Sequence, residues 1–207
     1  MKISLALIAI LGWFALIAQF YININSGLAA PSEIIVRYFS YFTITTNLLV
    51  VIACTTLVIN PLLGPGYFFS QQRTLTAITV YILIVGIIYN LILRSLWNPQ
   101  GLQWVVDELL HSAIPLLVFG FWIIFAPKDE LLWNDIWSWL IYPIVYMLFI
   151  LIRGSVSNFY PYPFINIKVL GFNKVLANSM GIALAFVLVS LIMVALAQFI
   201  SQRKVKV

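Results

Sequence analysis

The amino-acid sequence predicts an all-α, polytopic membrane protein: a bundle of six transmembrane helices in one integral membrane domain covering residues 1–207. Hydrophobic residues make up 63% of the chain and charged residues only 8%, a composition far from that of soluble globular domains. The chain also divides into six apolar runs, each close to the roughly 20 residues that cross about 30 Å of hydrocarbon. The polar breaks between the runs are short, so no stretch remains for a soluble domain.

Turn residues and prolines set the expected helix ends. The first apolar run is longer than the core of a signal peptide, so we expect a retained helix. Asn60-Pro61 ends the second helix, and Pro115 is expected to kink the fourth. The proline-rich segment Tyr160–Phe164 lies in the longest break, before the sixth helix. The expected helices cover residues 3–22, 35–59, 73–96, 102–125, 135–153 and 174–200.

Charge and cysteine content narrow the possible functions. The net charge is +5, and no basic stripe interleaved with aromatic residues accompanies it, so we expect the lipid bilayer and not nucleic acid as a partner. The single Cys54 offers neither a disulfide framework nor zinc-ligand spacing, so no metal or organic cofactor is expected.

Six spans place both termini on one side of the membrane. A slight excess of Lys and Arg on that side predicts cytoplasmic termini. The residues on the side of the termini are Lys2, Arg73, Lys128, Arg203, Lys204 and Lys206, and those on the opposite side are Arg37, Arg94, Arg153, Lys168 and Lys174.

The stretch Trp104–Pro115 carries the only histidine of the chain, at membrane depth. Asp107 lies one helical turn before His111. Ionisable groups are costly inside a bilayer, so this face is expected to point into the bundle or a wet cavity. Thr43, about eight residues into the expected second helix, and His111, about nine residues into the fourth, would both lie roughly 12–13 Å from the same boundary.

Further polar residues converge on the same half of the membrane. Asn90 and Arg94 share a face near the end of the third helix, and Arg153 ends the fifth. Ser40, Thr43 and Asn47 are expected on one face of the second helix by their spacing. Polar groups from four helices therefore meet near one boundary.

These residues contain the parts of a hydroxyl-nucleophile site. Thr43 could act as nucleophile, His111 as general base and then acid, and Asp107 as the group that orients the imidazole. Donors for a developing oxyanion could come from Asn47, Asn90 or Arg94, and Arg94 or Arg153 could bind a substrate carboxylate. Each also has a structural interpretation: a membrane threonine often bonds its own helix backbone, and arginines snorkel to headgroup phosphates.

Four short segments resemble a known family, the androgen-induced-gene-like six-helix membrane proteins. They are Tyr41–Leu49 (YFTITTNLL), Tyr89–Arg94 (YNLILR), the His111–Pro115 element and Tyr160–Phe164 (YPYPF). Animal members are threonine hydrolases of fatty acid esters of hydroxy fatty acids and use an intramembrane histidine. The resemblance implies His111 for the histidine and Thr43 for the threonine, with Thr45 and Thr46 as alternatives. It also implies a bacterial member of the family, which we expect in the inner (plasma) membrane.

Two functional hypotheses follow. The first is an intramembrane lipid esterase acting on a long-chain lipid ester. The second is a non-enzymatic carrier or structural membrane protein, in which His111, Asp107 and Arg94 form a titratable site beside the Pro115 kink. A carrier requires polar residues along a route through both halves of the membrane, whereas the polar residues found here lie in one half.

Overall fold

A computed structural model describes the backbone of residues 1–205 and the side chains of residues 1–202. Lys206 and the side chains of Arg203 and Lys204, which entered the charge comparison, lie outside the described residues. The described part of the chain is helical in all six apolar runs and contains no β-strand, which confirms the predicted all-α six-helix membrane protein. The spans, numbered one to six, are Lys2–Ile24, Phe42–Ile59, Gln72–Leu96, Leu102–Phe125, Asp135–Ser157 and Phe172–Gln202.

The α-helices are numbered along the chain. They are α1 (Lys2–Ile24), α2 (Pro31–Phe39), α3 (Phe42–Ile59), α4 (Gly64–Ser70), α5 (Gln72–Ile88), α6 (Leu102–Glu108), α7 (Ile114–Phe125), α8 (Asp135–Trp139), α9 (Ile141–Ser157), α10 (Ile167–Leu170) and α11 (Phe172–Val205).

The second and third spans form the centre of the bundle. They have 56% and 61% of their most apolar window buried, against 22% for the fifth span and 28% for the sixth. Hydroxyl groups stabilise this centre: Thr76 bonds the carbonyl of Gln72 and accepts a hydrogen bond from the Trp122 indole at 2.8 Å. Such bonds and close packing hold membrane helices together, because lipid is as apolar as the helices themselves.

The second span begins later than predicted. The expected helix over 35–59 is interrupted after Phe39, and α3 starts at Phe42. The hydroxyl of Tyr146 stabilises the break, because it donates to the Ser40 carbonyl at 2.8 Å and accepts the N–H of Phe42 at 3.1 Å. Thr43 is therefore the second residue of its helix and not about eight residues into it, and Ser40 does not share a helix with Asn47.

The third and fourth spans were predicted as uninterrupted helices and each contains a π-helical turn. Tyr89–Leu93 follows α5 and leads into a 3₁₀ turn at Arg94–Leu96, and Leu109–Ala113 separates α6 from α7. The second π-turn ends at Ala113, two residues before Pro115, where the sequence predicts a kink. Single π-turns inside α-helices occur frequently at functional sites.

The remaining differences concern the breaks and the last two spans. The segment 62–72, expected as a loop, contains the short α4. The last part of the fifth span, α9, continues to Ser157, four residues beyond the expected end at 153, and α11 runs beyond the expected end at 200. The break before the sixth span contains a 3₁₀ turn at Pro163–Ile165 and the short α10.

Candidate functional site

An apolar cavity of about 310 Å³ lies between α3, α5, α9 and α11, next to the loop that precedes α10. Among the described residues that line it, none is charged. The polar side chains in the lining all carry hydroxyl groups, and they are Thr43, Tyr89, Tyr146, Tyr162 and Ser179. The cavity therefore suits a neutral, largely apolar ligand and supplies hydroxyls as its hydrogen-bonding groups.

Thr43 reaches this cavity at the start of α3. The first N–H groups of a helix have no partner within the helix, and here tyrosine hydroxyls accept two of them. The Phe42 N–H donates to Tyr146, and the Thr43 N–H donates to Tyr162 at 3.3 Å. The Tyr162 hydroxyl also lies 3.4 Å from the Thr43 hydroxyl oxygen. Thr43 Oγ1 is thus held beside a phenol at the cavity wall.

Tyr162 keeps its proton at neutral pH. Burial raises the pKa of its phenol to about 12, although the hydrogen bonds with Thr43 act in the opposite direction. A phenol that stays protonated cannot take the proton of Thr43 near pH 7, but it can donate a hydrogen bond to an anion formed there. Tyr162 is therefore a candidate oxyanion donor.

The two alternative threonines do not line the cavity. Thr45 Oγ1 lies 3.2 Å from the Phe42 carbonyl of its own helix and accepts a hydrogen bond from the Tyr142 hydroxyl at 2.8 Å. Thr46 is fully buried, and its hydroxyl lies 3.3 Å from the same phenol. Of these three threonines, only Thr43 is part of the cavity lining.

His111 lies on the second π-turn and is oriented by Asp107. Its Nδ1 is 2.9 Å from the Asp107 carbonyl oxygen and 3.4 Å from the Asp107 carboxylate. Both of these groups accept hydrogen bonds, so we assign the proton of the neutral ring to Nδ1, which leaves the lone pair of Nε2 free. No described residue bonds Nε2. The imidazole is therefore held in the tautomer that a general base requires.

Tyr89 completes this cluster from the first π-turn. Its ring stacks on the His111 ring with centroids 3.9 Å apart, and its hydroxyl donates to the buried carboxylate of Asp107. The Trp97 indole donates to the same hydroxyl at 3.3 Å. Because Tyr89 also lines the cavity, its ring connects the cavity wall to the histidine.

Asn47 and Asn90 satisfy carbonyl groups that Pro115 and the preceding π-turn leave without an α-helical donor. Proline has no N–H, so the His111 carbonyl, four residues earlier, lacks its donor. The Ile114 N–H bonds Leu109 in the π-turn, so the Leu110 carbonyl lacks its donor as well. The Asn90 amide donates to the His111 carbonyl at 3.2 Å, and the Asn47 amide donates to the Leu110 carbonyl at 3.3 Å. These bonds join the start of the fourth span to the second and third spans.

The remaining amide protons of both asparagines are also engaged. Asn47 donates to the Thr43 carbonyl and Asn90 to the Gly86 carbonyl, each at 2.9 Å. In this structure each amide thus donates to two backbone carbonyls, so the predicted oxyanion role of Asn47 and Asn90 has no unused donor to support it. Asn47 is nonetheless a direct link between the backbones of Thr43 and Leu110, the neighbour of His111.

Arg94 lies beside the histidine cluster but is paired. Its guanidinium donates to the Asn90 side-chain oxygen and forms an ion pair with Glu108. The ion pair is partly exposed, and neither residue lines the cavity. A role for Arg94 in substrate binding stays a prediction.

Arg153 belongs to a separate cluster. It donates to Glu33 at 3.1 Å, and Arg37 donates to the same carboxylate oxygen at 2.8 Å. Both guanidinium groups also lie over the Phe159 ring, with the Arg37 carbon 4.7 Å and the Arg153 carbon 4.9 Å from its centroid. These contacts, first the hydrogen bond from Arg37, hold the pKa of Glu33 below its ordinary value. Arg153 thus joins α9 to α2 and does not reach the cavity lining.

The structure therefore brings most predicted site residues into two adjoining groups. Asp107, His111, Asn90 and Arg94 form one, and Thr43, at the cavity wall, forms the other with the buried Asn47. No hydrogen bond joins the Thr43 hydroxyl to His111 among the described residues. The Asn47 amide, which bonds the carbonyls of Thr43 and Leu110 together, holds the two groups side by side.

Sequence reasoning missed three tyrosines of the site: Tyr89, Tyr146 and Tyr162. Tyrosines are common near membrane interfaces, so their presence alone did not single them out. One signal was available for Tyr162, because prolines on both sides restrict the backbone and make the loop rigid enough to present one side chain. Tyr146 has no such signal, since its role depends on a break in a different helix.

No family model matches this chain, and neither the curated proteins nor the solved structures searched include a match to it.

Proposed function

We propose that this protein is an intramembrane lipid ester hydrolase in which Thr43 is the nucleophile and His111 the general base. The observation that carries the proposal is the position of Thr43: it is the one threonine of its segment that lines an apolar cavity, and the Asn47 amide joins its carbonyl to that of Leu110, the neighbour of a partly buried histidine whose tautomer Asp107 fixes. No metal or organic cofactor is part of the mechanism.

In the first half of the reaction, the Thr43 oxygen attacks the ester carbonyl carbon. Its proton passes to His111 Nε2, and the carbonyl oxygen becomes an oxyanion beside the Tyr162 hydroxyl. Collapse of the tetrahedral intermediate breaks the bond to the alcohol, which leaves with the proton from His111. The product bound to the protein is an acyl ester of Thr43.

In the second half, water replaces the alcohol. His111 takes a proton from the water as its oxygen attacks the acyl carbon, and the proton then returns to Thr43 as the carboxylic acid leaves. Since no hydrogen bond joins Thr43 to His111 among the described residues, both steps require the two side chains to approach when substrate binds. Catalytic hydrogen bonds are often long before substrate binds, and the two π-turns provide a deformable backbone on the histidine side.

The substrate class follows from the cavity and from the resemblance. A cavity lined by aliphatic, aromatic and hydroxyl-bearing side chains accommodates a long hydrocarbon chain and an uncharged ester. The resemblance to the androgen-induced-gene-like proteins supports long-chain esters such as fatty acid esters of hydroxy fatty acids. Arg94 or Arg153 would then bind the carboxylate of such a substrate outside the cavity, in place of its present carboxylate partner.

The decisive experiment labels the purified protein with a fluorophosphonate probe, which reacts with activated hydroxyl groups. Wild type should be labelled, and Thr43→Ala and His111→Ala should not. Thr45→Ala and Thr46→Ala are matched controls that should retain labelling, because their hydroxyls bond Tyr142 instead of lining the cavity. A folded wild type without labelling, or labelling that survives Thr43→Ala, would rule out this nucleophile.

A carrier function has one observation in its favour. Tyr89, Asp107 and His111 form a titratable cluster between two π-turns, which could change conformation with protonation. Among the described residues, no polar route continues from this cluster into the other half of the bundle. The second cavity, which lies in that half, holds only about 20 Å³ and is lined almost entirely by apolar side chains. The hydrolase is therefore the better supported function.

We also propose that both termini face the cytoplasm of a bacterial cell, which places the Thr43 half of the membrane on the outer side. The slight excess of Lys and Arg near the termini supports this orientation. A reporter active only in the cytoplasm, fused to the C-terminus, should be active; a reporter active only outside the cytoplasm should be silent.

A further inference from the structure

We infer that the cavity takes up one hydrocarbon chain of a membrane lipid directly from the bilayer, through a lateral opening between α9 and α11. This inference deepens the proposed function and rests on it for the reaction that follows binding. The binding of the hydrocarbon chain itself depends only on the shape and lining of the cavity.

The opening is located by residues that line the cavity and are exposed at the same time. Ile144 and Leu148 on α9 are 53% and 56% exposed, and Met180 on α11 is 65% exposed. Ala183, one helical turn after Met180, is also both exposed and part of the lining. A cavity bounded by such residues reaches the protein surface between the two helices.

The surface around the opening faces lipid. The fifth and sixth spans are the least buried of the six, and apolar side chains beside the opening, such as Val145 and Leu184, are each 58% exposed. At this depth the surroundings are hydrocarbon chains, so a chain can move from bilayer to cavity without crossing water.

The inner end of the cavity is buried and contains Thr43. Phe42, Ile84 and Phe186 form its inner walls and are nearly inaccessible from outside. With no charged residue in the lining, a headgroup that enters would lose its hydration without gaining an ionic partner. The volume of about 310 Å³ is at the lower end of the range for ligand cavities. These features select one chain and leave a charged headgroup outside.

Ala183 is the position at which the opening can be tested. A tryptophan there would fill the gap between α11 and α9, whereas tryptophan at the neighbouring Leu184 would extend into lipid, because Leu184 is exposed and does not line the cavity. Ala183→Trp and Leu184→Trp therefore form a matched pair.

The experiment uses the full-length protein in phosphatidylcholine nanodiscs with a non-hydrolysable long-chain ether that carries a diazirine in its chain. After illumination, mass spectrometry should find the label on Phe42, Ile84 or Phe186 in wild type and in Leu184→Trp. Ala183→Trp should reduce that interior labelling about tenfold or more.

Three results would overturn the inference: no interior label in wild type, equal interior label in Ala183→Trp, or crosslinks showing that a second copy of the chain covers the opening. The experiment also separates this inference from the proposed function. Interior labelling in a protein that hydrolyses no lipid ester leaves the binding inference intact and rejects the hydrolase. Hydrolysis without interior labelling rejects the lateral opening.

Discussion

The side-chain amide of Asn90 donates a hydrogen bond to the backbone carbonyl of His111 at 3.2 Å, and this is the carbonyl that Pro115 leaves without an α-helical donor. A polar residue on one span thereby compensates for a proline on the next. The bond fixes the backbone of the candidate general base against the third span.

This compensation predicts a specific energetic coupling. Asn90→Ala should lower the free energy of unfolding by about 1 kcal/mol, because it leaves the His111 carbonyl without this donor. In a Pro115→Ala background the same substitution should be less destabilising, since the substituted residue has a backbone N–H that can donate to that carbonyl. Unfolding in detergent of the two single variants and the double variant measures the coupling. Equal effects of Asn90→Ala in both backgrounds would contradict the account.

Asp107→Asn tests the role of the Asp107 carboxylate. The substitution keeps the backbone carbonyl that accepts from Nδ1–H, but it removes the negative charge that would stabilise the protonated ring during the reaction. Ester hydrolysis should fall by up to about 10²–10⁴-fold, the contribution typical of general acid–base catalysis. Thermal unfolding is the accompanying control. If hydrolysis is unchanged in a folded variant, the Asp107 carboxylate does not assist the catalytic ring.

Tyr162→Phe tests the proposed oxyanion donor. The substitution removes the hydroxyl near Thr43 and retains the ring that stacks on Phe164. We expect kcat to fall about 10²–10³-fold with little change in KM, because the bond strengthens only in the transition state. With a phenol pKa of about 12, the donor should stay protonated throughout the neutral and mildly alkaline range.

Tyr160→Phe is the matched control for that variant. The Tyr160 hydroxyl makes no hydrogen bond to a described residue, so its loss should leave kcat unchanged. Equal activity losses in the two variants would indicate a general effect on the loop instead of a role for the Tyr162 hydroxyl.

The limits of prediction from this sequence have physical causes. The six spans could be predicted because run length and apolarity are properties of the sequence itself. The start of α3 at Phe42 could not be predicted, because the break between α2 and α3 depends on the Tyr146 hydroxyl, which is distant in the chain. The pairing of Asp107 with His111 was predicted from four-residue spacing and is present despite the π-turn. The bonds of Asn47 and Asn90 to backbone carbonyls of the fourth span depend on which helices become neighbours. The spacing of residues within one helix does not predict which helices pack together.

The lowered pKa of Glu33 predicts that the folded state loses stability in acid. Its pKa is lowered by the hydrogen bond from Arg37 and by Arg153, so the folded state binds a proton less readily than the unfolded state. The resulting stabilisation is present above the ordinary value of 4.5 and disappears as pH falls through the lower folded value. The effect should be small because Glu33 and Arg37 are each about one-third exposed.

Melting temperatures of wild type and Glu33→Gln between pH 6 and pH 3 measure this effect. Wild type should lose stability over the acidic part of the range, and the difference between the two proteins should shrink as Glu33 becomes protonated. A constant difference across the range would show that the charge of Glu33 does not stabilise the fold.

Gly154 holds the proline-rich loop against α9. A Cβ atom at this position would overlap the ring of Tyr160, so Gly154→Ala must displace that ring, which belongs to the loop that carries Tyr162. Overpacking of this kind typically costs about 1–3 kcal/mol. We expect a loss of that size in the free energy of unfolding, together with reduced hydrolysis, because the hydroxyl beside Thr43 shifts. Gly181→Ala is the control: a Cβ there meets no atom within 4 Å, so stability should be unchanged or rise by up to about 1 kcal/mol. If Gly154→Ala behaved like Gly181→Ala, the loop would not depend on the contact between Gly154 and Tyr160.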